Sequence, residues 1–180
     1  MIDTLIFVDS NVLIYTMDIT PVVSELRKSC NIVLMSGAKK KIKLVTNSFV
    51  LEEVFYTCQK RGYAEEGKKI LEKVKNFIDV IFPVTPQDID TMKEIFRDFP
   101  NKRTPEAADF LHVAVMLNHN IKTICSHDTG FDLIKEIAVI DPIDLARELK
   151  RERSLRKERI ALNLTSKETK EIKGLSHKNS

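Results

Sequence analysis

Short apolar runs rich in strand-forming residues alternate along the chain with longer segments whose apolar residues recur at helical spacing. Each such run is short enough to be a buried strand, and helical segments separate the runs. Strands joined by helical crossovers pair in parallel and place helices on both faces of the sheet. The sequence therefore predicts an α/β fold, a three-layer α/β/α sandwich with a mostly parallel, roughly five-stranded sheet. The predicted strands are Leu5–Val8, Ile42–Val45, Val80–Val84, Thr123–Cys125 and Ala138–Ile140.

The predicted helices are bounded by capping residues. Thr104 is a good N-cap, Pro105 suits the first helical position, and the negative charge of Glu106 interacts favourably with the positive end of the helix dipole. A helix is therefore predicted over Pro105–Asn118. Periodicity and similar end signals predict the other long helices. These are Val22–Ala38, Phe49–Lys60, Tyr63–Phe77 and Pro86–Phe99.

The charge divides the chain into two parts. Residues 147–180 carry 11 Lys and Arg against 5 Asp and Glu, a net charge of +6, whereas the preceding residues have a net charge of −3. We therefore predict a globular domain over residues 1–146 and a basic extension over 147–180, partly helical or disordered. The extension is either a polyanion-binding tail, with nucleic acid as the commonest partner, or a solvated end, and its composition fits both.

Several protein classes are disfavoured by motifs that the sequence lacks. The first ten residues have no basic region of the kind that opens a signal peptide, and no apolar run approaches the ~18 residues of a membrane span, so we expect a soluble cytoplasmic protein. Three widely spaced cysteines without a CxxC pair fit buried, reduced thiols. No GxGxxG, GxxxxGK[ST] or GxSxG motif is present, which disfavours a glycine-rich phosphate loop and a serine hydrolase.

Four acidic residues are the candidate chemistry of the chain. Asp9 closes the first predicted strand and Asp128 follows the fourth, so both belong at the carboxyl edge of the sheet, where ligands of parallel sheets bind. Glu53 and Asp109 lie among apolar neighbours near the start of predicted helices. A carboxylate in such surroundings is unfavourable unless it is paired or binds a metal, and no Lys or Arg has an obvious place at this edge. The set favours a divalent cation site.

Each acidic residue also has an ordinary structural explanation. Asp9 can cap the following helix, and Glu53 can lie on a helix surface. Asp109 can interact favourably with the positive end of a helix dipole, and Asp128 can stabilise a turn. The joint placement of the four at one predicted edge is what favours a cation site. Among the histidines, His112 and His119 are expected to be structural, whereas His127 can reach a phosphate because it precedes Asp128.

Three segments resemble a known family, the PIN domain, and most closely its VapC-type toxins and their archaeal relatives. The segments are FVDSNVLIY, VLEEVFYTC and EAADFLHVAVMLNHNIKTICSHDTGFDLI. Together with the last predicted strand they extend the resemblance from about Leu5 to Leu145. The order of the acids and their strand or helix context match together, which makes the resemblance fairly specific.

The resemblance assigns the site residues one by one. Its four acids fall on Asp9, Glu53 rather than Glu52, Asp109 and Asp128, with Mg²⁺ or Mn²⁺ as the implied cofactor, hard ions that prefer oxygen ligands. The resemblance adds Asn11, Ser126 and Asp132 as residues of second rank, although His127 is not a typical neighbour of the fourth acid. Apart from the resemblance, Lys102, Arg103 and His127 are possible RNA contacts, because Lys102 and Arg103 are basic and His127 lies beside Asp128.

The resemblance implies a metal-dependent endoribonuclease of the VapC toxin type, with an RNA substrate, a possible antitoxin partner, a homodimeric state and no membrane. An RNA-processing nuclease, for example in ribosomal RNA maturation, has the same site with a different substrate. A non-catalytic RNA-binding or assembly module is weakened because all four acids are present. A HAD-type phosphatase is disfavoured because Asn11 occupies the position of its second aspartate.

Overall fold

The computed structural model describes residues 5–17, 23–99, 105–156 and 158. The chain divides into two compact units, Met1–Ala146 and Arg147–Ser180. The first unit contains a five-stranded sheet in which every neighbouring pair is parallel, in the order β3-β2-β1-β4-β5. This confirms the predicted α/β class. The strands are β1 (Leu5–Val8), β2 (Lys43–Asn47), β3 (Val80–Phe82), β4 (Thr123–Cys125) and β5 (Ala138–Ile140).

Helices connect these strands and complete the α/β/α sandwich. Two 3₁₀ turns, Val74–Asn76 and Thr129–Leu133, accompany them, and residues 142–146 are helical. In the second unit, residues 147–156 and 158 are helical. The helices of the first unit are α1 (Ser10–Tyr15), α2 (Ser24–Ala38), α3 (Ser48–Lys60), α4 (Ala64–Lys73), α5 (Pro86–Phe96) and α6 (Ala107–Asn118). Within the described residues, no helix combines the length and the apolar character that a membrane crossing requires.

The start of α6 differs from the prediction. Glu106 is its N-cap, so Pro105 precedes the helix rather than beginning it, and the predicted cap Thr104 lies outside the described residues. The reason is a side-chain contact: the Glu106 N–H donates to Asp109 Oδ2 at 2.7 Å, which fixes the first turn at this residue. The same contact holds the Asp109 carboxylate at the end of the helix.

The core is built around β1 and α6. Phe7 and Val8 of the central strand are fully buried, and every residue of α6 from Asp109 to Met116 is buried. A helix that is apolar on nearly all sides belongs inside a fold rather than on its surface. The buried polar residues of α6, Asp109 and His112, are therefore placed in surroundings with little water.

The strand order identifies one crevice at the carboxyl edge. After β1 the chain continues to β2 and β3 on one side of the sheet and then to β4 and β5 on the other. The switch point lies between β1 and β4, where the loops that leave the two strands diverge and ligands bind in open α/β sheets. The Asp9 N–H donates to the Cys125 carbonyl at 3.2 Å, so the two strand ends are held side by side there.

Gly37 allows α2 to pack closely on the sheet. A Cβ atom at this position would overlap the backbone oxygen of Phe77 and would lie 2.6 Å from Leu44 Cδ1. Alanine normally stabilises a helix interior by ~1 kcal/mol relative to glycine, but the overlap with backbone outweighs that gain.

Replacing Gly37 by alanine is therefore expected to lower the free energy of unfolding by roughly 1–3 kcal/mol, measured by urea denaturation. Met35→Ala is the matched control on the same helix, since Met35 is 51% exposed and its replacement is expected to change stability by less than ~0.5 kcal/mol. A Gly37→Ala protein as stable as the parent would contradict this packing.

Candidate active site

Asp9 lies at the carboxyl end of β1 and is only 5% exposed. Its Oδ1 accepts a hydrogen bond from the Ser10 N–H at 2.6 Å and so caps α1. Its Oδ2 accepts from Asn11 Nδ2 at 2.6 Å and from Ser126 Oγ at 2.7 Å. The capping role anticipated for this residue falls on Oδ1, whereas Oδ2 carries the contacts to Asn11 and Ser126.

Asn11 and Ser126 tie the ends of β1 and β4 together. Asn11 Nδ2 lies 2.9 Å from Ser126 Oγ, and Asn11 Oδ1 accepts from the His127 N–H at 3.3 Å. Ser126 Oγ also accepts from the Asp128 N–H at 3.0 Å. These two of the three second-rank residues therefore contact the predicted acids and fix the loop that carries Asp128.

Asp109 and Asp128 face the same small space beside Gly130. Asp128 Oδ1 accepts from the Gly130 N–H at 2.7 Å and caps the second 3₁₀ turn. A Cβ atom at Gly130 would lie 3.1 Å from Asp128 Oδ1 and 3.5 Å from Asp109 Oδ2. A side chain at this position would crowd the Asp128 carboxylate, so glycine allows Asp109 and Asp128 to lie close to this turn.

Glu53 projects from α3 towards Asp9 and is partly exposed, and its Oε2 lies 2.8 Å from His112 Nε2. Asp9, Glu53 and His112 each offer one possible ligand atom, and these three atoms all lie within 4.8 Å of one another. They are close enough to surround a metal ion. Asp109 and Asp128 are not in this group of three, although both are close enough to act on their acidic neighbours electrostatically.

Burial and mutual repulsion disfavour the charged forms of these acids. The pKa of Asp109 is raised to about 7, mainly by burial and also by the charges of Asp9 and Asp128, while the hydrogen bond from the Glu106 backbone and the charged form of His112 oppose the rise. Burial likewise raises the pKa of Asp9 and Glu53 adds to the rise, while the charged form of His112 and the hydrogen bonds from Ser126 and Ser10 oppose it. A divalent cation would relieve both effects, and an all-oxygen donor set suits the hard ions Mg²⁺ and Mn²⁺.

The remaining predicted residues lie at the margin of the site. Asp132 is exposed on the second 3₁₀ turn, and Lys102 and Arg103 lie outside the described residues. His127 is exposed, with its Nδ1 2.6 Å from Asp141 Oδ2 and its ring edge-on to Tyr15. A phosphate at the acidic cluster would therefore have a histidine beside it.

Two residues of the site were not assigned to it from the sequence. His112 was expected to be structural, yet it contacts Glu53, and Asn47 at the end of β2 contacts His112. A signal was present for His112, which lies three residues after Asp109 on the same helix and therefore on a neighbouring face. Nothing in the local sequence distinguishes Asn47 from an ordinary N-cap.

The fold and the acidic edge together define a class of proteins. The PIN domain family model matches residues 6–137 of this chain, which is most of it and includes all four acids. The chain therefore belongs to the PIN domain family, and the resemblance seen in its motifs is confirmed.

Particular relatives carry the VapC name. Ribonuclease VapC13 of Mycobacterium tuberculosis is 26% identical over 129 residues, which cover 71% of this chain and 93% of that protein. VapBC2 from Rickettsia felis, solved bound to a DNA fragment from its promoter, superimposes with a TM-score of 0.60 at 16% identity, covering 77% of this chain and 98% of that one. VapC20 of Mycobacterium tuberculosis, described as a sarcin-ricin loop cleaving toxin, gives a TM-score of 0.54 at 16% identity, covering 72% and 95%.

The raised pKa of Asp109 predicts how the metal-free protein responds to pH. The folded pKa of about 7 exceeds the value of 3.8 in the absence of the fold, so the folded state binds more protons between these pH values. The stability that this proton provides is complete below pH ~4 and is lost as pH rises through ~7. In EDTA, Asp109→Asn should therefore gain roughly 1–3 kcal/mol relative to the parent between pH 5 and pH 8.

Urea denaturation of both proteins at the two pH values measures this gain. Asp90→Asn is the control, because Asp90 is an exposed aspartate paired with Lys93 on α5. If Asp109→Asn and the parent lose stability in parallel between pH 5 and pH 8, the assigned protonation is wrong.

Proposed function

We propose that this chain is a metal-dependent endoribonuclease of the VapC toxin type, with Asp9, Glu53, Asp109 and Asp128 as the residues that bind Mg²⁺ or Mn²⁺. The observation that carries the proposal is the gathering of these carboxylates at the β1–β4 switch point, where burial and mutual repulsion raise the pKa of Asp9 and Asp109. Such a group is stable as a set of anions only with a cation in its midst.

The residues present fit such an ion. Carboxylate oxygens of Asp109 and Asp128 approach one position beside Gly130, and neutral hydrogen-bond donors from Ser10, Asn11 and Ser126 orient Asp9 without competing for the charge. A bound Mg²⁺ or Mn²⁺ supplies an activated water and neutralises charge on the phosphate during hydrolysis.

The chain's own groups do the positioning. Ser126 and Asn11 leave Asp9 little rotational freedom, and Asp128 is held both through its backbone N–H and through its carboxylate. His127, whose Nδ1 lies 2.6 Å from Asp141 Oδ2 at the margin of the site, is proposed to contact the phosphate backbone of a bound RNA. This histidine gives the otherwise acidic edge a group that can contact phosphate.

The relatives support RNA as the substrate. The curated relative is named a ribonuclease and one structural neighbour is described as a toxin that cleaves the sarcin-ricin loop. We propose that this chain likewise arrests growth by cleaving a structured RNA and that an antitoxin restrains it.

Expression alone should arrest growth, expression of Asp9→Asn should not, and arrest by both proteins would reject cleavage as the cause. A homodimeric state stays a prediction.

Adjacent glutamates on α3 offer a matched test of the site. Glu53→Gln is expected to reduce Mg²⁺- or Mn²⁺-dependent RNA cleavage by at least about 100-fold, because Glu53 faces the site, whereas the exposed Glu52→Gln retains activity. Asp9→Asn and Asp109→Asn are expected to lose cleavage in the same way while they remain folded.

Gel analysis of a labelled RNA with and without EDTA measures this cleavage, and circular dichroism monitors the fold. Cleavage by Asp9→Asn or Asp109→Asn at the parental rate, or equal losses in Glu52→Gln and Glu53→Gln, would reject the assignment of the metal ligands.

The basic extension is proposed to strengthen RNA binding. Residues 150–159, with their excess of Lys and Arg, would add contacts to phosphate that release counterions. Deletion of residues 150–180 should therefore weaken RNA binding at low salt and flatten the dependence of affinity on salt, while Mn²⁺ binding is retained. Fluorescence anisotropy at several salt concentrations tests this, and an unchanged affinity at low salt would refute it.

A further inference from the structure

His112 is a buried histidine on α6 with a partner at each ring nitrogen. It is 1% exposed, and its ring lies against Phe7 and Phe49, with centroid separations of 5.8 and 5.9 Å. Its Nδ1 lies 3.1 Å from Asn47 Nδ2, and its Nε2 lies 2.8 Å from Glu53 Oε2. The apolar rings fix the plane of the imidazole, and the two polar contacts fix its ends.

The position of the imidazole proton follows from Asn47. Asn47 is the N-cap of α3, and its Oδ1 accepts the Val50 N–H at 2.9 Å. The amide nitrogen must therefore face His112, and because an amide nitrogen only donates, His112 Nδ1 must be the acceptor. The ring proton then sits on Nε2 and is donated to Glu53.

We propose that His112 is a positioning residue that holds Glu53 in the metal site through a neutral Nε2–H tautomer set by Asn47. The inference rests on the proposed metal site. It adds two consecutive hydrogen bonds that connect the N-cap of α3 to the proposed ligand Glu53. Asn47 orients His112, and His112 orients Glu53.

Glu53 needs such a restraint more than the other acids do. Asp9, Asp109 and Asp128 have short side chains, and each accepts a hydrogen bond from a backbone N–H close in sequence. Glu53 has a longer side chain, is 24% exposed and starts from a different helix. The bond from His112 occupies a lone pair of Oε2 only and leaves Oε1 for a cation. Hydrogen bonds of this kind behind a metal ligand typically affect affinity 10–100-fold.

A direct metal-binding role for His112 conflicts with these contacts. A metal at Nε2 would require the ring proton to move to Nδ1, where it would meet the Asn47 amide N–H. Asn47 would then have to rotate, and α3 would lose the acceptor that caps the Val50 N–H. The positioning role keeps every one of these hydrogen bonds.

Mn²⁺ affinity of the full chain distinguishes the two roles. By titration calorimetry, His112→Leu is expected to bind Mn²⁺ about 10–100-fold more weakly than the parent. His112→Gln is expected to recover most of that loss, because its amide can donate from near the position of Nε2. The matched control is His119→Gln, since this histidine follows the same helix but stacks on Phe82.

Equal losses in His112→Leu and His112→Gln would overturn the positioning role and favour direct coordination. Unchanged affinity in both would overturn any role in the site. A parent chain that binds no Mn²⁺ would instead reject the proposed function, so the two failures are distinguishable. Thermal unfolding in EDTA checks that each variant is folded.

A spectroscopic test needs no substitution at His112. The ¹⁵N–¹H correlation spectrum of the parent should show His112 as the Nε2–H tautomer, both metal-free and with Mg²⁺. Asn47→Asp keeps an oxygen for the Val50 N–H but presents a second oxygen to Nδ1, so it should place a proton on Nδ1 that the parent lacks. An Nδ1–H tautomer in the parent would overturn the proposal.

Discussion

Asp9 ends the central strand with its carboxylate almost out of contact with water, and its neighbours are arranged around that charge. Ser10 donates to one oxygen, while Asn11 and Ser126 donate to the other. The contacts of Ser126 also join the end of β1 to the end of β4. The same hydrogen bonds therefore stabilise the switch point of the sheet and orient Asp9. A cation bound as proposed would relieve the residual repulsion among the acids and would therefore stabilise this edge of the sheet.

α6 connects the site to the core. Its buried residues pack the helix inside the sandwich, and the same burial raises the pKa of Asp109 and shields the contact between His112 and Glu53. Asp109 is held at the first turn by the Glu106 backbone, one helical turn before His112. A shift of this helix along its axis would therefore move Asp109 and His112 together. The geometry of the site thus depends on the packing of α6 as well as on the four acids.

The parts of the structure that depend on local sequence were predictable. Strands alternate with helices as their periodicity indicates, and Asp9 and Asp128 fall beside one another because parallel strands end at one edge. The first residue of α6 was predicted wrongly, since Pro105 is a common first helical residue and the competing contact of Asp109 with Glu106 is a single hydrogen bond.

The contacts of His112 were not predictable in the same way. They require a particular rotation of α3 relative to α6 about their axes. That rotation brings His112 into contact with Asn47 and Glu53, which are distant from it in sequence. Periodicity assigns a buried face to each helix but does not define that relative rotation, so the sequence alone could suggest only a structural histidine.

Crystals of the full chain soaked in Mn²⁺, with data collected near the manganese absorption edge, test the central claim most directly. We expect an anomalous difference peak at the β1–β4 switch point, with carboxylate oxygens of the Asp9, Glu53, Asp109 and Asp128 set as ligands at roughly 2.0–2.3 Å and His112 in contact with Glu53 rather than with the ion. Manganese bound only elsewhere, or no peak at these carboxylates at millimolar Mn²⁺, would contradict the account.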